Sequence, residues 1–293
     1  MTTQISNSET IRNTFNFSID KFPLTGPENM ATPFYGLFRS DTCEVVHDKS
    51  VSSDYVPHTT EDVLAITEAT ESVFGDCVPR CHFNKGHYVD LAPSNAQRLA
   101  VYGTRDNVFP RLRLSACYNG RAFKLFIGFY RDACRNLAEL VSVQSTSTII
   151  RHDGNLRDKM EELVAQFSSL QNGWENLQDT IVRMEANRTS LSDFLVRVYG
   201  EAPTEQGSGR TRHENRTRDI VRRVINERNI TGRPAFSAIN DEISAWEAFN
   251  AVQGYVQHKQ TRRGNTCDFD RQIKATESTD VRKAEKLALA VCA

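Results

Sequence analysis

The chain has 293 residues, 39% hydrophobic and 25% charged, with 36 Lys and Arg against 37 Asp and Glu and a formal net charge of −1. That composition is ordinary for a soluble protein. It allows one large or two modest domains and a core that needs no disulfide staples. The near-neutral balance excludes any argument about partners from global charge, so only local clusters carry one.

Residues 1–58 are rich in Ser, Thr and Asn, with short apolar islands such as "TPFYGLFRS", and read as a polar N-terminal arm with short strands. "PHTTEDVLAITEATESVF" then opens a helix. Thr59 with Asp62 fits a capping box, and Val63, Ile66, Ala69 and Val73 follow at helical spacing. From Gly86 to Arg131 the period changes to two. In "RLRLSACY", Leu112, Leu114 and Ala116 share one face, with Arg111, Arg113 and Ser115 on the other. In "AFKLFIGFY", Phe123, Leu125, Ile127 and Phe129 oppose Lys124, Phe126 and Gly128. Two alternating runs on either side of Asn119-Gly120 predict a type I′ hairpin in an antiparallel meander with one buried and one solvated face. "LVSVQSTSTIIRH" (140–152) reads as a further strand.

The remainder reads as helical. Asn155 and Asp158 open a helix with Leu156, Met160, Leu163, Val164, Phe167 and Leu170 on one stripe. A second is expected over about 174–199, with Ser190 and Asp193 as a capping pair. "YGEAPTEQGSGR" (199–210) is a linker by its Gly, Pro and Ser. A basic helix follows to about 230, another covers 241–260, and "STDVRKAEKLALAVCA" ends the chain with Val281, Ala284, Ala288 and Val291 aligned. The expected fold class is therefore α+β: an antiparallel β-meander with an early helix, followed by a mainly helical C-terminal half. The expected division is an arm (1–58), an α+β core (59–200), a linker or loop (201–212) and a helical part packing on the core (213–293).

Seven cysteines, an odd number in a chain of this size, predict reduced thiols. No apolar run approaches the ~20 residues of a membrane helix, and "MTTQISNSETIRNTFNF" lacks an apolar signal core. The expected compartment is a cytoplasm, with no membrane partner, and the N-x-S/T triplets at Asn16, Asn187, Asn215 and Asn229 then read as chance.

Four constellations bear on chemistry. Between 210 and 233 lie eight arginines (Arg210, Arg212, Arg216, Arg218, Arg222, Arg223, Arg228, Arg233) and three acids (Glu214, Asp219, Glu227), a local balance of +5. On a helix, Ile220, Val221, Val224 and Ile225 form an apolar seam, so the arginines can offer forked contacts to phosphate; the competing reading is a solvated face with internal ion pairs. In "CVPRCHFNKGH", Cys77, Cys81, His82 and His87 have loosely tolerable zinc spacing but no finger or treble-clef pattern, and free thiols on a strand-edge loop are expected instead. Cys134 lies between Arg131 and Arg135, with His152 or His258 as a conceivable base, yet no cysteine-hydrolase signature surrounds it and a small buried thiol is the commoner case. Aromatic and cationic residues interleave on the last strand. Most of the phenylalanines there read as core; Lys124, Phe126 and Arg131 are the candidates for contacting bases and phosphates. No P-loop, dinucleotide or HExxH motif is present, and no cofactor or metal is expected.

Several landmarks carry a resemblance. "YVPHTTEDVLAI" supplies a Tyr-x-Pro segment before a helix. "GFYRDACRN" supplies Gly128, Tyr130, Arg131, Cys134 and Asn136; "IIRHDGN" supplies His152; "FNAVQGYVQH" supplies Asn250, Tyr255 and His258. In this order, over roughly 50–290, the sequence resembles a family of phage and plasmid proteins, domain-of-unknown-function family 932. It departs from that pattern at "ACYNGRAF", where a more acidic, serine-rich turn is expected, and in its arginine density after 210. The resemblance implies origin in a mobile element and no particular activity. The knot at Tyr130–Asn136 is first read as a hydrogen-bonded corner: Asn136 capping, Arg131 pairing with an acid, Cys134 filling core.

The reading that joins these features is a phage- or mobile-element-encoded, nucleic-acid-associated protein of replication or recombination. Single-stranded DNA is the favoured partner, and self-association is allowed. Lys124, Arg131, Arg212, Arg216, Arg218, Arg222 and Arg223 are the expected contacts. The alternative is a non-catalytic interaction module that inhibits or redirects a host protein. An enzyme built on Arg131, Cys134 and Asn136 with His152 or His258 is the third reading and the least favoured.

Overall fold

The computed structural model describes residues 6–47, 49–94, 98–118, 123–143, 147–150, 167–236, 239, 241–258, 272, 275–276 and 278–293. Among these, helices and antiparallel strands combine in an α+β fold. The chain divides into two compact units that alternate along the sequence: 1–96, 111–127 and 145–173 form the first, and 97–110, 128–144 and 174–293 the second. The Asn119-Gly120 turn, His152, and the helix expected from Asn155 as far as residue 166 fall outside the described residues.

In the first unit, Ser6 caps helix α1 (Asn7–Thr14). Strands β1 (Ile19–Thr25) and β2 (Ala31–Arg39) then pair antiparallel, Ile19 opposite Arg39 and Phe22 opposite Gly36. Helix α2 (Thr60–Phe74) starts where the capping box places it. Thr59 Oγ1 accepts from Asp62 N at 3.2 Å, and Asp62 Oδ2 accepts from Thr59 N at 2.7 Å. Its buried face holds Val63, Leu64 and Ile66, with the hydroxyls of Thr67 and Thr70 turned back onto Val63 O and Ile66 O.

Strands β3 (Cys77–Phe83) and β4 (Gly86–Pro93) form a hairpin, and β4 pairs onward with the 112–117 stretch of a longer strand, β6 (Asp106–Cys117). The 123–126 stretch of β7 (Phe123–Arg131) pairs with β9 (Ser147–Ile150); of the strand expected over 140–152, residues 147–150 are strand and 140–143 are not. The alternation holds on one face: Leu112, Leu114, Ala116, Leu125 and Ile127 are buried. On the other face Arg113 differs from expectation. It is 2% exposed and its guanidinium lies 5.5 Å from the Phe126 ring centroid, so this face is not simply solvated.

In the second unit, β5 (Leu99–Tyr102) pairs with the start of β6, and β8 (Asn136–Ala138) pairs with the end of β7 through Phe129 opposite Ala138 and Arg131 opposite Asn136. Helix α3 (Phe167–Ala186) runs into this unit. The single helix expected over 174–199 is in fact interrupted by β10 (Arg188–Ser190), which pairs with β11 (Glu242–Ser244). Ser190 takes an extended backbone, accepts from Asp193 N at 3.3 Å and restarts the chain as α4 (Leu191–Tyr199). After an exposed, irregular stretch at 200–207, helix α5 (Ser208–Thr231) begins and closes at the left-handed Gly232. Helices α6 (Ala245–His258) and α7 (Thr279–Val291) complete the unit. Trp246, Phe249 and Val252 of α6 are wholly buried, as are Ala284 and Ala288 of α7.

Candidate functional site

The knot that ends β7 is a tight hairpin. Residues 132–135 turn the chain, with Arg135 in the left-handed region at φ 56°, and Asn136 begins β8. Gly128 permits this pairing, because a Cβ there would lie 2.4 Å from Ala138 O.

Arg131 is fully buried and forms a fork with Asp106, Nε to Oδ1 at 2.7 Å and Nη2 to Oδ2 at 2.9 Å. Its Nη1 donates to Glu227 Oε2 at 2.5 Å. Asp106 Oδ2 also accepts from Arg233 Nη2 at 2.7 Å, and Arg233 Nη1 bonds Glu185. Glu247 receives a fork from Arg228 at 2.6 and 3.0 Å, and Ser244 Oγ lies between Glu185 and Glu247. The guanidinium of Arg131 lies 5.5 Å from the Trp246 ring centroid and that of Arg233 lies 4.1 Å from the Tyr102 centroid.

These charges set one another's titration. Burial pushes the Asp106 carboxyl up, but the charges and hydrogen bonds of Arg131 and Arg233 outweigh it and leave it below the ordinary range. Burial likewise opposes Glu247, which the Arg228 fork brings below its ordinary value. At Glu227 burial wins over Arg131 and holds the carboxyl above its ordinary value; its Oε1 has no hydrogen-bond partner among the described residues.

The residues that carry the family resemblance meet here. Asn136 gives an amide N–H to Asn250 O at 3.1 Å and accepts from His258 Nε2 at 3.1 Å. Gln253 Nε2 donates to Leu137 O at 2.9 Å and Leu137 N donates to Gln257 Oε1 at 3.1 Å, so α6 holds β8 by both backbone groups of Leu137. Cys134 Sγ is 3.8 Å from Arg131 Nη1, but burial, reinforced by Glu227, pushes its thiol up to about 12, which leaves no thiolate nucleophile at neutral pH. Contrary to the expectation that it caps a helix, Asn136 ties a strand to α6.

Arg131 therefore leaves the set of nucleic-acid contacts. It is 0% exposed, and its Nε, Nη1 and Nη2 each bond a buried carboxylate, so no phosphate can reach it. Lys124 is half-buried on β7 in the first unit. On α5 the arginines separate by face. Ile220, Val224, Glu227 and Arg228 turn inward, whereas Arg212, Arg218 and Arg222 are exposed. Arg216 lies with its guanidinium 4.2 Å from the Tyr199 ring centroid, and Arg223 is half-buried, its basicity lowered by burial against the pull of Glu227. Arg210 is held by Glu214 at 2.8 Å and Arg218 by Asn215 at 2.7 Å.

Cys77 and Cys81 lie on β3 and His87 on β4, and both thiols are pushed up to about 12 by burial. Among the described residues no three His, Cys, Asp or Glu side chains converge as metal ligands, and no helix is long and apolar enough to cross a membrane. One cluster was missed by sequence reasoning. His58, His87 and Tyr118, from before α2, from β4 and from the end of β6, pack together in the first unit. In the sequence His87 stands beside Cys77, Cys81 and His82, and no spacing links it to His58 or Tyr118.

A family model described as Domain of unknown function (DUF932) matches residues 47–286, and the chain belongs to that family. No curated protein and no solved structure matches it. The Arg131, Asn136, Asn250 and His258 clasp lies wholly within the matched region.

Proposed function

We propose that this DUF932 member is a nucleic-acid-associated protein of a phage or other mobile element. It holds single-stranded DNA by its phosphates, as a binder or annealer in replication or recombination, in the cytoplasm of the host cell. The observation that carries the reading is the outward side of α5. Along the whole helix stand seven arginines against three acids, a net of +4, of which Arg228 and Glu227 turn inward. Two of those acids, Glu227 and Glu214, have arginine partners. Arg212, Arg218 and Arg222 remain exposed, with guanidinium forks suited to phosphate oxygens. Lys124, half-buried on β7 in the first unit, is a separate candidate contact. The test is anisotropy of a fluorescent single-stranded oligonucleotide at low and moderate salt. Binding that weakens steeply with salt supports the reading; absence of binding at low salt removes it.

A specific observation favours a second reading, the protein-interaction module. The β1–β2 hairpin exposes Phe22 at 53%, Met30 at 62% and Phe34 at 53%. Leu24 and Phe38 lie over Gly36, and Phe22 packs edge-on against Phe38 at 5.7 Å. A cluster of this kind suits a protein surface better than a phosphate backbone. Pull-down from host lysate after nuclease treatment tests it: a partner lost on Phe34→Ser supports the module, and retention by the variant contradicts it.

A further inference from the structure

The solvent side of α5 carries more than arginines. Thr211, Asn215, Arg218, Arg222, Asn226 and Asn229 are all exposed. At 3.6 residues per turn they fall within about 80° of the helix circumference, and Thr211 and Asn229 lie about 27 Å apart along the axis. Ile220, Val224, Glu227 and Thr231 are buried on the opposite side. None of the six exposed side chains is acidic. Glu214 flanks the stripe and is held by Arg210 at 2.8 Å, and Asp219 lies at its edge, half-buried. A helix face that is only solvated is usually laced with both signs at spacings of three and four; this one is not.

The stripe is also divided along its length. At its centre Arg218 and Arg222 stand one turn apart, and Asn215 Oδ1 accepts from Arg218 Nη2 at 2.7 Å, which orients that fork. Toward the helix C-terminus the stripe is uncharged. Asn226 and Asn229 are exposed there, with Ile225 (37% exposed) and Ile230 (52% exposed) beside them. Neither amide has a side-chain hydrogen bond among the described residues. Asparagine is a weak helix former because its amide competes for the backbone. These two sit inside a helix and make no such local bond.

We propose that Asn226 and Asn229 contact the bases of the strand whose phosphates Arg218 and Arg222 hold, and that they favour adenine. An amide brings no charge to a phosphate. It does bring a donor and an acceptor side by side, which engage adenine N7 and N6–H together. The same edge of guanine presents two acceptors and suits an arginine instead. Ile225 and Ile230 supply apolar contact to the ring beside the amides. In a single strand the base edges are open to such contacts. The inference rests on the phosphate reading of α5 and adds to it a base-contacting segment and a preference.

The test is anisotropy of fluorescent homopolymer strands of dA, dC and dT, equal in length, titrated with full-length protein across a salt series. The expected result is that dA binds at least about fivefold more tightly than dC or dT, the smaller end of what a bidentate base contact discriminates. The double variant Asn226→Ala, Asn229→Ala should bring dA to the level of the other two. Its salt slope should be that of the wild type, because no phosphate contact is lost. Its melting temperature should be no lower, because alanine is the better helix former. Equal affinity of the wild type for the three strands with a steep salt slope, or a dA preference unchanged in the double variant, overturns the proposal and leaves the phosphate reading standing. Absence of binding to all three strands at low salt removes both.

Discussion

Arg131 and Asp106 place opposite charges at 0% exposure, and their stability follows from what each would lose alone. Arg131→Met takes the arginine from Glu227 Oε2 and Asp106 Oδ1 and leaves Asp106 only Arg233, and breaking a buried pair from one side costs about 3–5 kcal/mol. Glu227 behaves differently because its charged form is the disfavoured one. Asp106 and Glu247 sit below their unfolded values, so the stability they lend is complete above about pH 4 and is lost as the pH falls through their folded values. Glu227 sits above its unfolded value, so its contribution is complete only below about pH 4 and is lost as the pH rises through its folded value. Urea midpoints should therefore show Arg131→Met far below wild type at pH 7 and Glu227→Gln no lower than wild type. The Glu227→Gln difference should close toward pH 4. A Glu227→Gln loss as large as that of Arg131→Met would contradict this account. That Arg131 pairs with an acid was legible, because an arginine at the end of an apolar strand needs a counter-charge. Which acids was not: Asp106 and Glu227 lie 25 and 96 residues away in the chain.

At the scale of elements, local chemistry was readable and pairing was not. The Thr59–Asp62 box fixes the start of α2 within four residues of sequence, and Thr59→Ala should cost about 1 kcal/mol by thermal melting. Strand β10 is only three residues long and exists because β11 pairs with it from 242–244, so a helical period running through 174–199 hid it. The hairpin of β7 and β8 depends on Gly128. A Cβ 2.4 Å from Ala138 O meets backbone, which cannot rotate aside, so Gly128→Ala should part the strands and cost about 1–3 kcal/mol. Amide exchange would register it as lost protection at Phe129 and Ala138. A variant with native protection there would show that the close approach is relaxed at no cost. The same hairpin carries Asn136 to Asn250 and His258, which explains why motifs more than a hundred residues apart belong to one structural clasp.

For the whole molecule, sequence order and spatial grouping part company. Strands β6 and β7 each contribute residues to both units, a division no composition shift announces. The basic stretch after 210 was legible as a helix, and of its expected apolar seam Ile220 and Val224 are buried while Ile225 is exposed, but its arginines were not separable by type of work. Arg228 and Arg233 serve buried carboxylates, Arg216 covers Tyr199, and Arg212, Arg218 and Arg222 face solvent. The most direct measurement is the salt dependence of single-stranded oligonucleotide binding by wild type and by the Arg212→Ala, Arg218→Ala, Arg222→Ala triple variant. Exposed substitutions should leave the melting temperature nearly unchanged. The predicted result is a wild-type log–log slope shallowed by about 2 in the variant, near 0.7 for each phosphate contact removed. Equal affinity and equal slope in the two proteins, or no wild-type binding at low salt, would contradict it.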